Sequence, residues 1–376
     1  MTPPGEPASP GGRPSRDGAG VSALTAIDLP PPWQEAAAAV LATAGVVLVV
    51  GGPDCGKSTF CRVVLAAARR QGLPLAFIDA DLGQSHVGPP TTLGLKFFPP
   101  YPPDSLTHPA DLLYFIGQTS PPGRLLEIVL GLQRLAAAAR ARCPLVLVNT
   151  SGLVSGPLAV RLKVAKAEAL APQLIIFLER GEELAAVASP LRRLAPRTCS
   201  LQVSSQARPK TWTERWQYRQ ERFAAYFAPA SPLPVPLAAR FWLGFPFAQA
   251  PVVAGPERQQ LAAVAAAELL RVERGGGYAY LVTGAALSEE VQTRVGAHLA
   301  PDRLCWASWS QLAGRLVGLL DANLLTMALG VLLAVAWDRE EAAILTPLPA
   351  ARLPEVRFVR LGRLRLDRTG QELPPL

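Results

Sequence analysis

The sequence predicts an α/β fold in which helices flank a parallel sheet. The first observation is a glycine-rich loop at residues 51–59, which reads GGPDCGKST and matches the P-loop pattern G-x-x-x-x-G-K-[ST] in full. The apolar, β-branched run at 46–50 predicts a buried strand before the loop, and the Ala-rich run at 61–70 predicts a helix after it. The second observation is that strand and helix patterns keep alternating beyond the loop. This alternation is typical of a parallel sheet whose ligand lies at the carboxyl ends of its strands.

The other elements follow from the same patterns. Helices are predicted at residues 33–44, 124–142 and 158–169, and strands at 75–79, 112–116, 145–149 and 174–178. With the loop, they predict a P-loop NTPase sheet. The apolar stretch 316–337 is long enough to span a bilayer. Asp321 and Asn323 interrupt it, so a buried hairpin is favoured over a membrane span.

Changes in composition divide the chain into three parts. Residues 1–22 are rich in Pro and Gly and predict a disordered, low-complexity tail. Residues 23–230 are predicted to form the P-loop domain, with a helical arginine lid at about 190–227. Alternate prolines at 232–236 predict a linker-like segment. Residues 231–376 are then predicted to form a smaller, β-containing C-terminal domain.

Charge and cysteine usage restrict the function classes. The formal charge is +8, from 37 basic and 29 acidic residues, which favours polyanionic partners, although Arg-rich usage also reflects genome composition. The five cysteines are scattered without a C-x-x-C pair and there are three histidines, so no zinc site is predicted. A reduced cytoplasmic compartment is the simplest interpretation. The first 20 residues lack the apolar segment of a secretory signal.

The P-loop itself predicts nucleotide binding. Free backbone N–H groups at the start of a helix bind phosphate, and glycine allows the tight turn that brings them together. Lys57 can reach the β- and γ-phosphates, and Ser58 can ligate Mg²⁺. The residues predicted to bind nucleotide are Gly52, Pro53, Asp54, Cys55, Gly56, Lys57, Ser58 and Thr59.

Polar side chains follow three of the predicted strands. Asp79 and Asp81 end the second strand, where one acid can hold the metal shell and the other can accept a proton from an attacking hydroxyl. The alternative is a strand-end turn with solvated carboxylates. The segments 117–121 (GQTSP) and 149–152 (NTSG) follow two other strands, and each is either a phosphate-gripping loop or a helix N-cap.

Basic residues cluster in two later segments. Residues 192–222 carry eight of them, and Arg215, Arg219 and Arg222 share one helical face. That face is either a lid that closes over phosphates or a solvated basic helix. A second basic run at 352–368 either extends a nucleic-acid track or forms the solvent face of strands; the alternation at 363–366 favours the strand.

In this order, these motifs resemble the polynucleotide 5′-hydroxyl kinase family, which includes the pre-mRNA cleavage-factor kinase and the ribosomal-RNA-processing kinase. The resemblance runs from about residue 45 to 227 and returns at 317–321 and 361–367. The matching segments are GPDCGKST at 52–59, D-x-D-x-G-Q at 79–84, QTSP at 118–121, VNTSG at 148–152 and RWQYRQER at 215–222.

The resemblance implies a reaction and a set of site residues. Members transfer the ATP γ-phosphate to the 5′-hydroxyl of RNA, sometimes of DNA, so ATP, Mg²⁺ and single-stranded 5′-hydroxyl ends are the implied ligands. Asp81 would orient or deprotonate the hydroxyl and share the metal site with Ser58. The implied catalytic residues are Lys57, Asp81, Arg215 and Arg219, and the implied substrate-binding residues are Asp79, Gln84, Thr119, Ser120, Asn149 and Thr150.

One departure from the family pattern raises a second hypothesis. The family usually has Trp after N-T-x-G, where it can stack on the terminal base of the substrate, and here Leu153 stands there. Trp212 or Trp216 is a possible substitute. The alternative function is a non-catalytic ATP-binding scaffold of an RNA-processing complex. A GTPase switch has no support because the chain lacks an N-K-x-D guanine motif.

Overall fold

The structure is a computed structural model that describes residues 30–101, 105–300 and 302–374. The tail predicted at 1–22 lies outside these residues. The strands of the first part of the chain are β1 (Gly45–Gly51), β2 (Leu75–Ala80), β3 (Thr92–Phe98), β4 (Leu112–Phe115), β5 (Leu145–Thr150), β6 (Leu174–Glu179) and β7 (Arg197–Gln202). The helices are α1 (Pro31–Leu41), α2 (Lys57–Gln71), α3 (Leu125–Arg140), α4 (Pro157–Leu170), α5 (Ala185–Leu194) and α6 (Trp212–Phe227).

These strands form a mixed sheet with a parallel core. Strands β7, β6, β1, β5 and β2 lie side by side in that order and are parallel, and β3 and β4 continue the sheet in antiparallel pairing. The predicted α/β class, with a parallel sheet flanked by helices, is confirmed. The parallel core brings the carboxyl ends of β1, β2 and β5 to one edge, where the polar segments follow.

Both faces of the sheet are covered, as the alternation along β1 shows. Val46, Leu48 and Val50 pack in the core that α3, α4 and α5 cover. Val47 and Val49 pack on the opposite face, beneath α1 and α2. A strand buried on both faces has to be apolar at every position, which is why its sequence is a continuous Val/Leu run rather than an alternating one.

The last part of the chain extends the same sheet. Its further strands are β8 (Ser231–Pro236), β9 (Phe241–Leu243), β13 (Arg315–Leu320), β14 (Thr326–Ala336), β15 (Glu341–Thr346) and β16 (Phe358–Arg365), and a 3₁₀ turn spans Ala350–Glu355. Strand β14 joins β4 through the pair Thr326 and Leu113. The hairpin predicted in the apolar stretch is confirmed as β13 and β14. In the part of the chain that the structure describes, no helix has the length and apolarity to cross a membrane.

The segment expected to be a linker is the edge strand β8. It pairs with β15 over all six of its residues, and Leu233 and Val235 are buried. Neighbouring residues of a strand direct their N–H groups to opposite sides, so proline at every second position removes donors from one side only. The outer side of an edge strand makes no hydrogen bonds to another strand, so prolines that face that side remove none. Whether the chain divides into domains at about residue 230 stays a prediction.

A smaller three-stranded sheet lies between β9 and β13 along the chain. It consists of β10 (Leu269–Gly275), β11 (Tyr278–Thr283) and β12 (Arg303–Ser308), with helices α7 (Gly255–Ala265) and α8 (Glu289–Leu299), and the short helix α9 (Trp309–Leu312) follows. Leu261, Leu281 and Val295 pack in a core of their own there.

Candidate active site

The P-loop lies where β1 ends and α2 begins. Asp54 and Gly56 have positive φ angles of 53° and 89°, which turn successive N–H groups toward a common centre. No side chain caps the N-terminus of α2, so the N–H groups of its first turn are free to bind an anion. A Cβ on Gly51 would lie 2.9 Å from the Leu178 carbonyl oxygen, so only glycine fits there. The loop therefore has the shape and polarity of a phosphate cradle.

Lys57 lies across this loop. Its side chain is buried, and its Nζ donates a hydrogen bond to the Gly52 carbonyl at 2.5 Å. Trp33 of α1 supports the loop from behind: a Cβ on Gly56 would lie 2.9 Å from the indole ring, whose Nε1 donates to the Gln202 carbonyl at 3.0 Å. The ammonium group is thus held where it can neutralise phosphate oxygens.

Asp79 is a fully buried carboxylate that forms hydrogen bonds to several elements of the site. Its Oδ1 accepts hydrogen bonds from the Asn149 amide at 3.1 Å and from the Asp81 backbone at 3.2 Å. Its Oδ2 accepts from the His86 N–H at 2.7 Å. Burial, and then the charge of Asp81, raise the pKa of Asp79 to about 6, and these N–H donors oppose the shift. Asp79 therefore links β2, β5 and the loop between β2 and β3.

Replacing Asp79 with asparagine should destabilise the fold by about 1–3 kcal/mol. An asparagine side chain would set its NH₂ group against the N–H donors on one side, those of Asn149 or that of His86, and these would stay buried without an acceptor. Urea denaturation measures the effect. The matched comparison is Asp81→Asn, which should leave stability within about 0.5 kcal/mol; equal stability of the two variants would contradict this role of Asp79.

Asp81 holds the turn that follows β2. Its Oδ1 accepts hydrogen bonds from the backbone N–H groups of Gly83 and Gln84, both at 3.1 Å. These bonds leave Oδ2 for a metal-bound water or a substrate hydroxyl. Asp81 is only half-buried, so unlike Asp79 it can meet a ligand.

Helix α6 is the predicted lid, and its first turn lies against both loops. The Arg215 guanidinium forms an ion pair with Asp54 of the P-loop, and the Lys210 N–H donates to the same carboxylate at 2.9 Å. The Gln84 amide donates to the Arg215 carbonyl at 3.2 Å. Thr211 and Glu214 cap the helix in a reciprocal capping box. Arg215 is thus held beside the phosphate cradle.

The other predicted lid residues lie further along or before this helix. Arg219 pairs with Glu372 near the end of the described chain, and Arg222 donates to the Gly88 carbonyl at 2.7 Å. Phe223 and Phe227 anchor the second half of α6 against β13 and β14. Residues 192–197, which the sequence places in the same basic segment, belong to the end of α5 and the start of β7.

The loop Gly117–Gly123 forms the wall opposite α6. A Cβ on Gly83 would lie 3.1 Å from the Thr119 carbonyl oxygen, so this loop contacts the turn that carries Asp81. The Gln118 amide donates to the carbonyls of Ser120 and Pro122 at 2.5 and 2.6 Å and fixes the loop's shape. Thr119 is half-buried and Ser120 is exposed.

The NTSG segment lies at the end of β5, behind the P-loop. Asn149 bonds to Asp79, and the Thr150 hydroxyl donates to the Val49 carbonyl at 2.8 Å. A Cβ on Gly152 would lie 2.8 Å from the Pro53 backbone nitrogen. Asn149 and Thr150, which the sequence predicts to bind substrate, are both buried. The hydrogen bonds described above join them to other residues of the protein.

Two buried lysines of α4 are site residues that the sequence patterns did not reveal. Lys163 donates to the Thr150 hydroxyl at 2.8 Å and to the Ser151 carbonyl at 2.6 Å. Lys166 is fully buried, and its Nζ has no hydrogen-bond partner among the described residues. Four of the five lysines in this Arg-rich chain lie at the site, namely Lys57, Lys163, Lys166 and Lys210. That concentration is the signal that could have identified them.

The buried Lys166 predicts that the free energy of unfolding rises with pH. Burial lowers the pKa of Lys166 from 10.5 to about 8, and the charge of Asp81 opposes this. Between these pH values the folded state has lost the Lys166 proton that the unfolded state retains, so Lys166 alone makes the free energy of unfolding rise with pH by up to about 3 kcal/mol. Below about pH 8 the buried charge costs that amount in full.

The variant Lys166→Met should therefore be more stable than the wild type at pH 7 by up to about 3 kcal/mol, and the rise toward pH 10 should be smaller by the same amount. The rise that remains comes from Lys163, because burial lowers the pKa of that lysine as well. Urea denaturation at several pH values measures both quantities. Lys96→Met, which removes a surface lysine paired with Asp111, is the control and should keep the rise. Identical pH slopes in the wild type and Lys166→Met would refute the assignment.

Leu153 and the tryptophans of α6 differ in their burial and packing. Leu153 is half-buried and packs against the core beneath α4. Trp212 and Trp216 stack on each other with ring centroids 6.3 Å apart and planes 12° apart, and Trp212 is 73% exposed. This aromatic pair beside Arg215, of which Trp212 is the exposed member, offers a stacking surface of the kind that Leu153 cannot provide.

The fold and this site define the class of P-loop nucleotide-binding proteins. A family profile described as the mRNA cleavage and polyadenylation factor CLP1 P-loop matches residues 51–229. A polyribonucleotide 5′-hydroxyl-kinase of Pyrococcus furiosus is 30% identical over 333 residues, which cover 87% of this chain and 89% of the relative. One of Methanocaldococcus jannaschii is 26% identical over 333 residues, with 87% and 88% covered. The chain belongs to the polyribonucleotide 5′-hydroxyl-kinase family.

A solved structure shows the same fold. The complex of wild-type Clp1p with Pcf11p contains a chain with a TM-score of 0.55 and 12% identity, and the match covers 88% of this chain and 77% of that one. The family that the sequence motifs indicated is confirmed by the family profile and the kinase relatives.

Proposed function

We propose that this protein is an ATP-dependent polynucleotide 5′-hydroxyl kinase, which transfers the γ-phosphate of ATP to the 5′-hydroxyl of single-stranded RNA and, as a second substrate, DNA. The observation that carries the proposal is that Arg215 contacts both the P-loop that holds Lys57, through Asp54, and the turn that carries Asp81, through Gln84. Phosphoryl transfer needs mainly positioning and charge neutralisation, and the side chains of Lys57, Asp81 and Arg215 supply both. The cytoplasm is the proposed compartment.

The P-loop residues are proposed to hold the nucleotide. The backbone N–H groups of Gly52 and of residues 54–59 would surround the phosphates, and Lys57 would exchange its bond to the Gly52 carbonyl for phosphate oxygens. The described residues contain no cluster of three His, Cys, Asp or Glu side chains, so a metal would be held by few protein ligands and the phosphates, as Mg²⁺ usually is. Ser58 and Asp81 fit that role. Bound Mg²⁺ would neutralise charge on the transferred phosphate.

The remaining residues are proposed to bind and activate the 5′-hydroxyl. Asp81 accepts its proton through Oδ2 while Oδ1 keeps the turn in shape. Asp79, Asn149 and Thr150 hold this arrangement from beneath. Gln84, Thr119 and Ser120 line the approach of the nucleic-acid end, between α6 and the loop Gly117–Gly123.

Arg215 is proposed to neutralise charge in the transition state, and Arg219 to support the lid. Arg215 lies against Asp54 of the P-loop, whereas Arg219 pairs with Glu372. Arg215→Gln should lower kcat by about 10²–10³-fold. Arg219→Gln should cost less, because its partner lies away from the cradle. Single-turnover label transfer compares the two variants, and a larger loss in Arg219→Gln would reverse these roles.

Substrate preference tests the proposal further. Labelled ATP should phosphorylate RNA with a 5′-hydroxyl and should leave RNA with a 5′-phosphate unlabelled. A DNA oligonucleotide of the same sequence measures the preference. Leu153 favours one alternative, an ATP-binding scaffold, because the family's stacking side chain is missing there. Tight ATP binding without transfer to any 5′-hydroxyl end would favour the scaffold.

A further inference from the structure

Four arginines converge on the outer side of the loop Gly117–Gly123. We call Arg124, Arg315, Arg363 and Arg365 the arginine patch. The Arg363 guanidinium lies 2.9 Å from where a Cβ on Gly123 would be. The Arg315 Nη1 donates to the Gly362 carbonyl at 3.1 Å, and the Arg365 Nε donates to the Ala313 carbonyl at 3.0 Å. Strand β16 and the preceding turns thus bring together charges that are far apart in the sequence.

The positive charge of the patch is poorly compensated. Arg124 pairs with Glu127, but the other three arginines form no ion pair within the part of the chain that the structure describes. Burial lowers the pKa of Arg315, and the charges of Arg365, Arg363 and Arg124 lower it further, in that order. Crowded guanidinium groups repel one another, and an anion bound between them would remove that repulsion.

The patch lies one loop away from the catalytic carboxylate. On one side, the loop Gly117–Gly123 contacts the Asp81 turn through Thr119 and Gly83. On the other side, the Gly117 carbonyl accepts a hydrogen bond from the Arg363 N–H at 2.7 Å. A chain whose end lies at Asp81 and which crosses this loop would therefore meet the patch.

From this arrangement we infer that the arginine patch binds backbone phosphates of the nucleic-acid substrate, downstream of its 5′-terminal nucleotide. The inference rests on the proposed function for the identity of the ligand. Guanidinium groups bind phosphate oxygens through paired N–H donors, and a polynucleotide is the polyanion that a 5′-hydroxyl site would bring to this surface. The alternation of Arg363 and Arg365 with Leu364 and Leu366 fits the strand β16 and the residue after it, and it places these two arginines on the same side.

The test uses Arg363→Gln and Arg363→Glu in the full chain. Arg363 is exposed, so these changes spare the core, and the exposed Arg303→Gln on β12 is the matched control. Fluorescence anisotropy measures binding of labelled 5′-hydroxyl RNA over a range of salt concentrations, which needs no phosphoryl transfer. Steady-state kinetics compares an eight-nucleotide RNA with a nucleoside 3′-phosphate.

The expected result is a loss of affinity for the longer RNA of about three- to fivefold in Arg363→Gln at low salt, and a larger loss in Arg363→Glu. The slope of log K against log salt should fall by about 0.7 for each phosphate that the variant no longer neutralises. KM for the nucleoside 3′-phosphate and kcat for both substrates should stay unchanged. RNA affinity equal to that of Arg303→Gln would overturn the inference, even if the kinase is active.

The two proposals fail in different ways. Wild-type protein that binds RNA through the patch but transfers no phosphate would refute the kinase and keep the inference. An equal rise in KM for the short and the long substrate would refute the patch as a downstream site, because only the long substrate reaches it.

Discussion

Replacing Lys57 with alanine is expected to lower kcat for phosphoryl transfer by about 10³-fold. Lys57 is the buried cation at the centre of the cradle, and its Nζ bonds to a P-loop carbonyl at 2.5 Å. Removing it leaves the charge that develops on the transferred phosphate without its nearest protein cation. Single-turnover transfer from γ-labelled ATP to a 5′-hydroxyl RNA measures the loss.

A surface lysine provides the control for this change. Lys96→Ala removes a cation that pairs with Asp111 far along β3, so its transfer rate should equal that of the wild type. Thermal unfolding of both variants checks that the folds are intact. If Lys57→Ala kept more than about a tenth of the wild-type rate, the cradle would not be the catalytic phosphate site.

The second large effect is expected in Asp81→Asn, with a loss in kcat of about 10²–10⁴-fold. An asparagine keeps the oxygen that accepts the N–H groups of Gly83 and Gln84, so the turn keeps its shape. It cannot accept the proton of the attacking hydroxyl. ATP affinity without Mg²⁺, which does not depend on the metal site, should therefore stay the same, whereas single-turnover transfer with Mg²⁺ is lost. Calorimetry measures the affinity, and label transfer measures the rate.

Asp321→Asn is a matched control because Asp321 has the same structural role elsewhere. Its Oδ1 accepts the N–H groups of Asn323 and Leu325 at 2.8 and 2.9 Å in the turn between β13 and β14. This variant should transfer phosphate at the wild-type rate. Wild-type activity in Asp81→Asn would mean that Asp81 is a turn residue only, as Asp321 is.

The strands of the central sheet could be predicted because the pattern that identifies each of them lies within one short segment of the sequence. A strand buried on both faces has a continuous apolar run, and β1, β2, β5 and β6 all have one. Strand β3 was missed because Gly94 and Lys96 interrupt its apolar pattern. Its identity depends on antiparallel pairing with β2 and β4, which no local pattern encodes.

Site residues could be predicted only where they belong to one short segment of the sequence. The P-loop and the acidic turn are short motifs, and their residues lie at one edge because β1 and β2, the parallel strands on either side of β5, both end there. The ion pair of Arg215 with Asp54 joins residues 161 positions apart, and no spacing rule predicts it. Lys163 and Lys166 were missed because a lysine within a helix usually points to solvent, and only the packing shows otherwise.

The measurement that tests the central claim most directly is the mass of a 5′-hydroxyl RNA oligonucleotide after incubation with the wild-type protein, ATP and Mg²⁺. We predict a gain of one phosphate group, located at the 5′ nucleotide by fragmentation, and no gain when the RNA already carries a 5′-phosphate. An unchanged mass, in a sample where calorimetry shows that both ATP and RNA bind, would contradict the assignment of Lys57, Asp81 and Arg215 to phosphoryl transfer.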